Sequence, residues 1–112
     1  MAEAEKVTIK PKRIQRKRTK GWRMPTGAVY VGRGTQWGNP IRIGAANGDD
    51  YMIASREDAV AKYRYEIVQM NGGFVGFNAQ WVQRHLRGKD LACWCPLDQP
   101  CHADVLLELA NV

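Results

Sequence analysis

Two short stretches concentrate the residue types that do chemistry. Residues 93–102 read CWCPLDQPCH and residues 32–40 read GRGTQWGNP. In the first, Cys93, Cys95, Cys101 and His102 offer three thiolates and one imidazole, a donor set that suits tetrahedral zinc. The spacing C-x-C-x5-C-H matches no standard finger pattern, and adjacent Cys-His ligands on one ion are awkward, so the sequence by itself leans toward a metal-free cluster. Cys101, opening a helix beside an imidazole, also sits where thiol pKa values fall, which makes Cys101 and His102 candidates for nucleophilic catalysis. Asp104, in the first helical turn, could orient His102, bind a ligand hydroxyl, or only complement the helix dipole. The competing reading is that buried cysteines and a hydrogen-bonded core histidine do no chemistry. An odd number of cysteines argues against a disulfide framework. Cys93 and Cys95 would lie about 6.6 Å apart on a strand, near the upper limit for a bridge.

In the second stretch, Gly32, Gly34 and Gly38 let a backbone approach a ligand and present its N–H groups. Arg33 could fork onto a phosphate or carboxylate. Trp37 offers a stacking face, and Asn39 can read a base or a ribose. Arg33, Gly34, Trp37 and Asn39 are therefore candidate ligand contacts. The pattern is neither G-x-G-x-x-G nor a phosphate loop, because three residues separate Gly34 from Gly38 and no G-K-[S/T] follows. The alternative is a loop whose glycines serve turns while Trp37 covers the core.

Both stretches follow expected strands. Residues 28–31 are a short apolar run of strand-formers ended by Gly32, and residues 89–95 predict a second strand with Leu91, Cys93 and Cys95 on one face. Ser55-Arg56-Glu57-Asp58 has the form of a capping box, and Ala59, Tyr63, Ile67 and Met70 recur at helical spacing, predicting a helix over 56–70. A shorter helix is expected over about 78–87, with Trp81, Val82 and Leu86 inward. His102, Val105, Leu106 and Leu109 give the stripe of a closing helix. The twenty or so residues from Gly32 to Tyr51 read as one long loop. Strands separated by helical crossovers lie parallel, so their C-terminal ends open on one edge, where ligands of open α/β sheets bind. The expectation is a small two- or three-layer α/β domain, with a short, mainly parallel sheet, about three helices, and both chemical loops at one edge.

Charge is uneven along the chain. The net charge is +6, yet residues 1–23 hold nine basic residues against Glu3 and Glu5, which leaves the remainder at −1. That basic segment could bind phosphate backbones or an acidic partner, or could simply keep the protein soluble. Residues 14–22 could form an edge strand before the turn at residues 24–27. At 112 residues the chain has room for one core. It shows no apolar run long enough to span a bilayer and no secretory leader, so a cytoplasmic location without membrane contact is expected.

The stretches RKRTKGWRMP, VYVGRGTQWGNP, LRGKDLACWC and CHADVLLELA resemble the family catalogued as domain of unknown function 4326, found in bacteriophages and in bacteria such as actinobacteria. The resemblance runs from about Arg13 to Ala110. It implies that residues 13–23 are folded, leaving residues 1–12 as a mobile basic arm and 13–112 as one α/β domain. It further implies that Arg33, Trp37, Gly38, Asn39, Pro40, Cys93, Cys95, Cys101 and His102 occupy the family's motif positions. Ile41 stands where phenylalanine often follows W-G-N-P, an apolar replacement. A phage origin would imply the host cytoplasm.

The leading expectation is a site for a nucleotide or another phosphorylated small molecule between the two loops, in an enzyme or a sequestering protein. A second is a zinc-stabilised nucleic-acid-binding module using the basic segment. A third is an interaction domain directed at a host protein.

Overall fold

The computed structural model describes residues 11–44, 46–47 and 51–111. Most of the arm assigned to residues 1–12, and part of the long loop, therefore lie outside the described residues.

Three strands, β1 (Arg13–Gln15), β2 (Val29–Tyr30) and β5 (Leu91–Cys93), form one sheet in the order β1-β5-β2. β5 is parallel to both neighbours, and Leu91 stands opposite Arg13 on one side and Val29 on the other. Leu91, Ala92 and Cys93 are all buried. That suits a central parallel strand, which is paired along both edges and covered on its faces. β3 (Ala46–Asn47) and β4 (Tyr51–Met52) make a separate antiparallel pair. The segment read as one long loop thus contains a small hairpin, tied down by a Gly44 N–H bond to the Ile53 carbonyl at 2.7 Å.

α1 (Arg56–Val68) begins where the Ser55 hydroxyl accepts from the Asp58 N–H. It stops two residues earlier than the apolar spacing predicts. The chain turns out through Asn71 at φ 51°, and the Gly72 N–H caps the Glu66 carbonyl. Met70 is therefore exposed. The buried stripe is Ala59, Lys62, Tyr63, Glu66 and Ile67, with Lys62 and Glu66 paired one turn apart at 3.2 Å.

α2 (Ala79–Leu86) is capped by the Asn78 side chain on the Trp81 N–H. Val82 and Leu86 face the core, but Trp81 does not: it is exposed, and its Nε1 donates to Gln36 Oε1 at 3.0 Å. An indole with one wet edge and a polar partner has less to gain from full burial.

α3 (His102–Ala110) packs against α2, α1, β5 and β1. The main core gathers Tyr63 and Ile67 from α1, Val82 and Leu86 from α2, Leu91 and Cys93 from β5, and Val105, Leu106 and Leu109 from α3. Ile41, Ile53 and Ala59 form a satellite cluster that fixes the hairpin side onto α1. This is a small α/β arrangement on an open, parallel three-stranded sheet. Among the described residues no helix is long and apolar enough to cross a membrane.

The edge strand expected over residues 14–22 is shorter than the pattern suggested. It pairs only over Arg13–Gln15, with further bonds from the Leu91 N–H to the Lys12 carbonyl and from the Arg16 N–H to the Cys93 carbonyl, and then leaves the sheet for a turn at Thr19–Trp22.

Candidate functional site

Because β2 and β5 are parallel neighbours, the chain leaves both at the same edge. The glycine loop and the cysteine loop emerge side by side there. Together with Arg42, Ile43 and the first turn of α1, they enclose a cleft of about 1050 Å3.

The glycine loop is closed on itself. The Gly32 carbonyl accepts from both the Thr35 N–H and the Thr35 hydroxyl, and the Gly38 N–H donates to the Thr35 carbonyl. Gly34 sits at φ 95°, a conformation costly for any side chain with a Cβ. A Cβ on Gly38 would lie 3.0 Å from the Gly32 carbonyl oxygen.

Trp37 anchors the loop from below. It is 5% exposed and packs edge-on against Phe77, and its carbonyl accepts from the Tyr63 hydroxyl at 2.6 Å. Burial pushes the Tyr63 phenol pKa upward, so it stays a donor. Trp37 therefore belongs to the core and does not line the cleft, unlike Arg33, Gly34 and Asn39, which do. Asn39 lines it while bracing the loop: its Nδ2 donates to the Ala59 carbonyl, and its Oδ1 accepts from the Ile41 N–H.

The cysteine loop is shaped by a residue that sequence reasoning passed over. Arg13, on β1, has its side chain 7% exposed. Its Nη2 donates to the carbonyls of Pro96, Leu97 and Gln99, at 3.1, 2.8 and 2.9 Å. Its Nη1 lies 3.4 Å from Asp104 Oδ2. A guanidinium bonded to three carbonyls of one loop folds residues 96–99 back, so that Cys101 returns over the end of β5. In the sequence Arg13 is one of nine cations in a basic run. Its one distinguishing mark is that it opens the apolar-interleaved triplet R-I-Q.

Cys93, Cys95 and Cys101 are free thiols. Their sulfurs all lie within 4.8 Å of one another, with Cys93 and Cys101 3.1 Å apart. Either of these two thiols can donate to the other. The hydrogen bond from Cys93 pulls the Cys101 pKa down, assisted by Cys95, the Ala103 N–H and Arg13, and the same bond pushes the Cys93 pKa up.

His102 stands apart from that group. Its Nε2 lies 2.7 Å from the Val31 carbonyl. A carbonyl only accepts, so Nε2 carries the proton and Nδ1 is the bare nitrogen, 3.6 Å from Cys101 Sγ. Burial lowers the imidazole pKa and favours this neutral form. Asp104 does not orient His102. Its Oδ2 accepts from the Cys101 N–H at 3.2 Å and pairs with Arg13, so it serves as cap and counterion.

At the rim, the Arg16 guanidinium lies 4.7 Å from the Tyr30 ring centre and 4.8 Å from that of Trp94, and Arg18 lies 4.6 Å from Trp94. Both arginines therefore reach the same side, although the chain there is not a strand. Trp94 is half-exposed and lines the cleft, a second contributor that the analysis of spacing missed.

Among the described residues the charge that lines the cleft is one-sided. Arg33, Arg42 and Arg56 line it, and among the described residues no Asp or Glu does. No ion pair among the described residues involves Arg33 or Arg56.

The family model described as a domain of unknown function, DUF4326, matches residues 14–112. No curated protein and no solved structure matches the chain.

Proposed function

Because the chain belongs to this family of unknown function, we propose its role from the site itself: it binds a nucleotide or a similar phosphorylated small molecule in the cleft between residues 32–40 and 93–102. The observation that carries this reading is that Arg33 and Arg56 line the cleft and take part in no ion pair among the described residues. Like-charged guanidinium groups repel one another, and an anion between them relieves that cost while accepting forked hydrogen bonds. The volume of about 1050 Å3 is at the upper end of small-ligand sites, roughly 300–1,000 Å3, and leaves room for more than a bare phosphate. The position, at the carboxyl edge of a parallel sheet, is where open α/β folds take ligands. If the protein is an enzyme, the 3.6 Å approach of His102 Nδ1 to Cys101 Sγ supports a thiol nucleophile in the metal-free chain; without such a step the cleft sequesters.

The test is thermal stabilisation by nucleoside mono-, di- and triphosphates and pyrophosphate. A binder present at a hundred times its dissociation constant adds about 2.7 kcal/mol, a shift of several degrees in a domain of this size. A panel that leaves the melting temperature unmoved would remove the reading.

A second reading has its own observation. Trp94, half-exposed with Arg16 and Arg18 on its ring, resembles the aromatic-cationic platforms that take single-stranded nucleic acid. Affinity for an oligonucleotide that exceeds that for mononucleotides and falls steeply with salt would favour it.

A further inference from the structure

The cysteine cluster has a geometry that its spacing does not suggest. Cys93 ends β5, Cys95 lies two residues on, and the Arg13-held loop brings Cys101 back over both. A tetrahedral ion with metal–sulfur bonds of about 2.3 Å needs its sulfurs about 3.8 Å apart. The three sulfurs here span 3.1 Å to at most 4.8 Å, so small side-chain rotations bring them to that spacing. All three also line the cleft.

We infer that Cys93, Cys95 and Cys101 form a three-thiolate centre for a soft divalent cation of the zinc class, with its fourth position open to the cleft. Thiolates select such ions over hard ones. Three protein ligands with one open position is the arrangement of zinc sites that work on ligands, whereas four closed ligands mark structural ones.

Three thiolates and a dication leave one negative charge to be compensated. Arg13 Nη1 is buried and makes no hydrogen bond of its own. It lies between Asp104 and the cluster and bears on Cys101, as does the Ala103 N–H at the start of α3. A buried cationic donor with an ion partner but no hydrogen bond, beside convergent sulfurs, is what a metal-thiolate anion would satisfy. His102 is not the fourth ligand. Its ring nitrogens fall outside the group of mutually close donor atoms, which holds the three sulfurs alone. It is a positioning residue, backing Cys101 from 3.6 Å. The nonstandard spacing is accommodated by a loop that Arg13 shapes.

The metal centre does not depend on the anion reading, though the natural occupant of its fourth position does. The test uses the full chain, stripped with chelator and kept in reductant, titrated with Co(II) and then with Zn(II). The expected result is one equivalent of Co(II), strong thiolate-to-cobalt charge-transfer bands, tetrahedral d–d bands, and displacement by one equivalent of Zn(II). His102→Gln should keep the charge-transfer intensity, whereas Cys95→Ser should lose a third of it or lose the ion altogether. Azide, small enough for any open position, should shift the d–d bands of the Co(II) protein. Absence of stoichiometric Co(II) binding by the unmodified chain overturns the centre, and it needs no variant that folds. Retained Co(II) with bands that azide does not move overturns the open position. Calorimetry with nucleotides on the metal-free protein judges the anion reading separately.

Discussion

His102 Nε2 donates to the carbonyl of Val31 at 2.7 Å, so the first residue of α3 is bonded to the last residue before the glycine loop. One buried imidazole thereby ties the two loops of the cleft to each other. The bond needs a neutral ring with its proton on Nε2, and burial holds the folded pKa below the ordinary value. Between the folded value and the unfolded value of about 6.5, the unfolded chain binds more protons, so stability rises with pH across that window.

Metal-free, reduced protein should therefore hold its stability above about pH 6.5. It should lose stability as the pH falls below that, with a limiting slope of about 1.4 kcal/mol per pH unit. His102→Gln should flatten this limb and lower stability at pH 8. Urea denaturation at a series of pH values measures both. An unchanged acid limb in the variant would assign the titration to other groups.

Arg13 should behave as a structural residue of the cysteine loop. Arg13→Met removes one charged donor from the Pro96, Leu97 and Gln99 carbonyls and leaves Asp104 without its cation. The expected loss is about 3 kcal/mol, in the range for hydrogen-bonded buried charge. Arg13→Lys should recover only part of it, because one ammonium cannot face the loop carbonyls and Asp104 together as Nη2 and Nη1 do. Denaturant midpoints decide the matter; a neutral Arg13→Met would show that the loop holds its own shape.

Trp37 should report on the core. Trp37→Ala should cost about 3–5 kcal/mol, the usual range for deleting a large buried aromatic, while Trp37→Phe should cost much less. If Trp37→Ala left stability intact and abolished only ligand binding, the ring would be a stacking surface after all.

Which features were readable in the sequence follows from periodicity. α1, α2 and α3 each carry apolar residues at helical spacing, α1 opens on the Ser55 cap, and β2 and β5 are short apolar runs with turn residues after them. Their order alone implied parallel strands and put the two loops at one edge. Side-chain direction inside a loop has no period, so nothing in GRGTQWGNP said that Trp37 points down while Arg33 points out. Arg13 was hidden by its neighbours, since one buried guanidinium in a run of solvated cations looks like the rest. Trp94 was hidden by the cysteines that flank it. The hairpin at Ala46–Asn47 and Tyr51–Met52 has strands of two residues each, too short to show alternation.

The central claim is that the arginine-lined cleft takes a phosphorylated ligand, and calorimetric titration tests it most directly. Unmodified protein and the Arg33→Ala/Arg56→Ala double variant are each titrated with the nucleotide that best stabilises the unmodified chain. Both side chains are exposed, so the double variant should melt at nearly the same temperature without ligand. Each lost charged contact is worth about 1.5–3 kcal/mol, so affinity should fall by at least about a hundredfold. Equal affinity in the two proteins, or no saturable heat with any nucleotide in the unmodified one, would contradict the account.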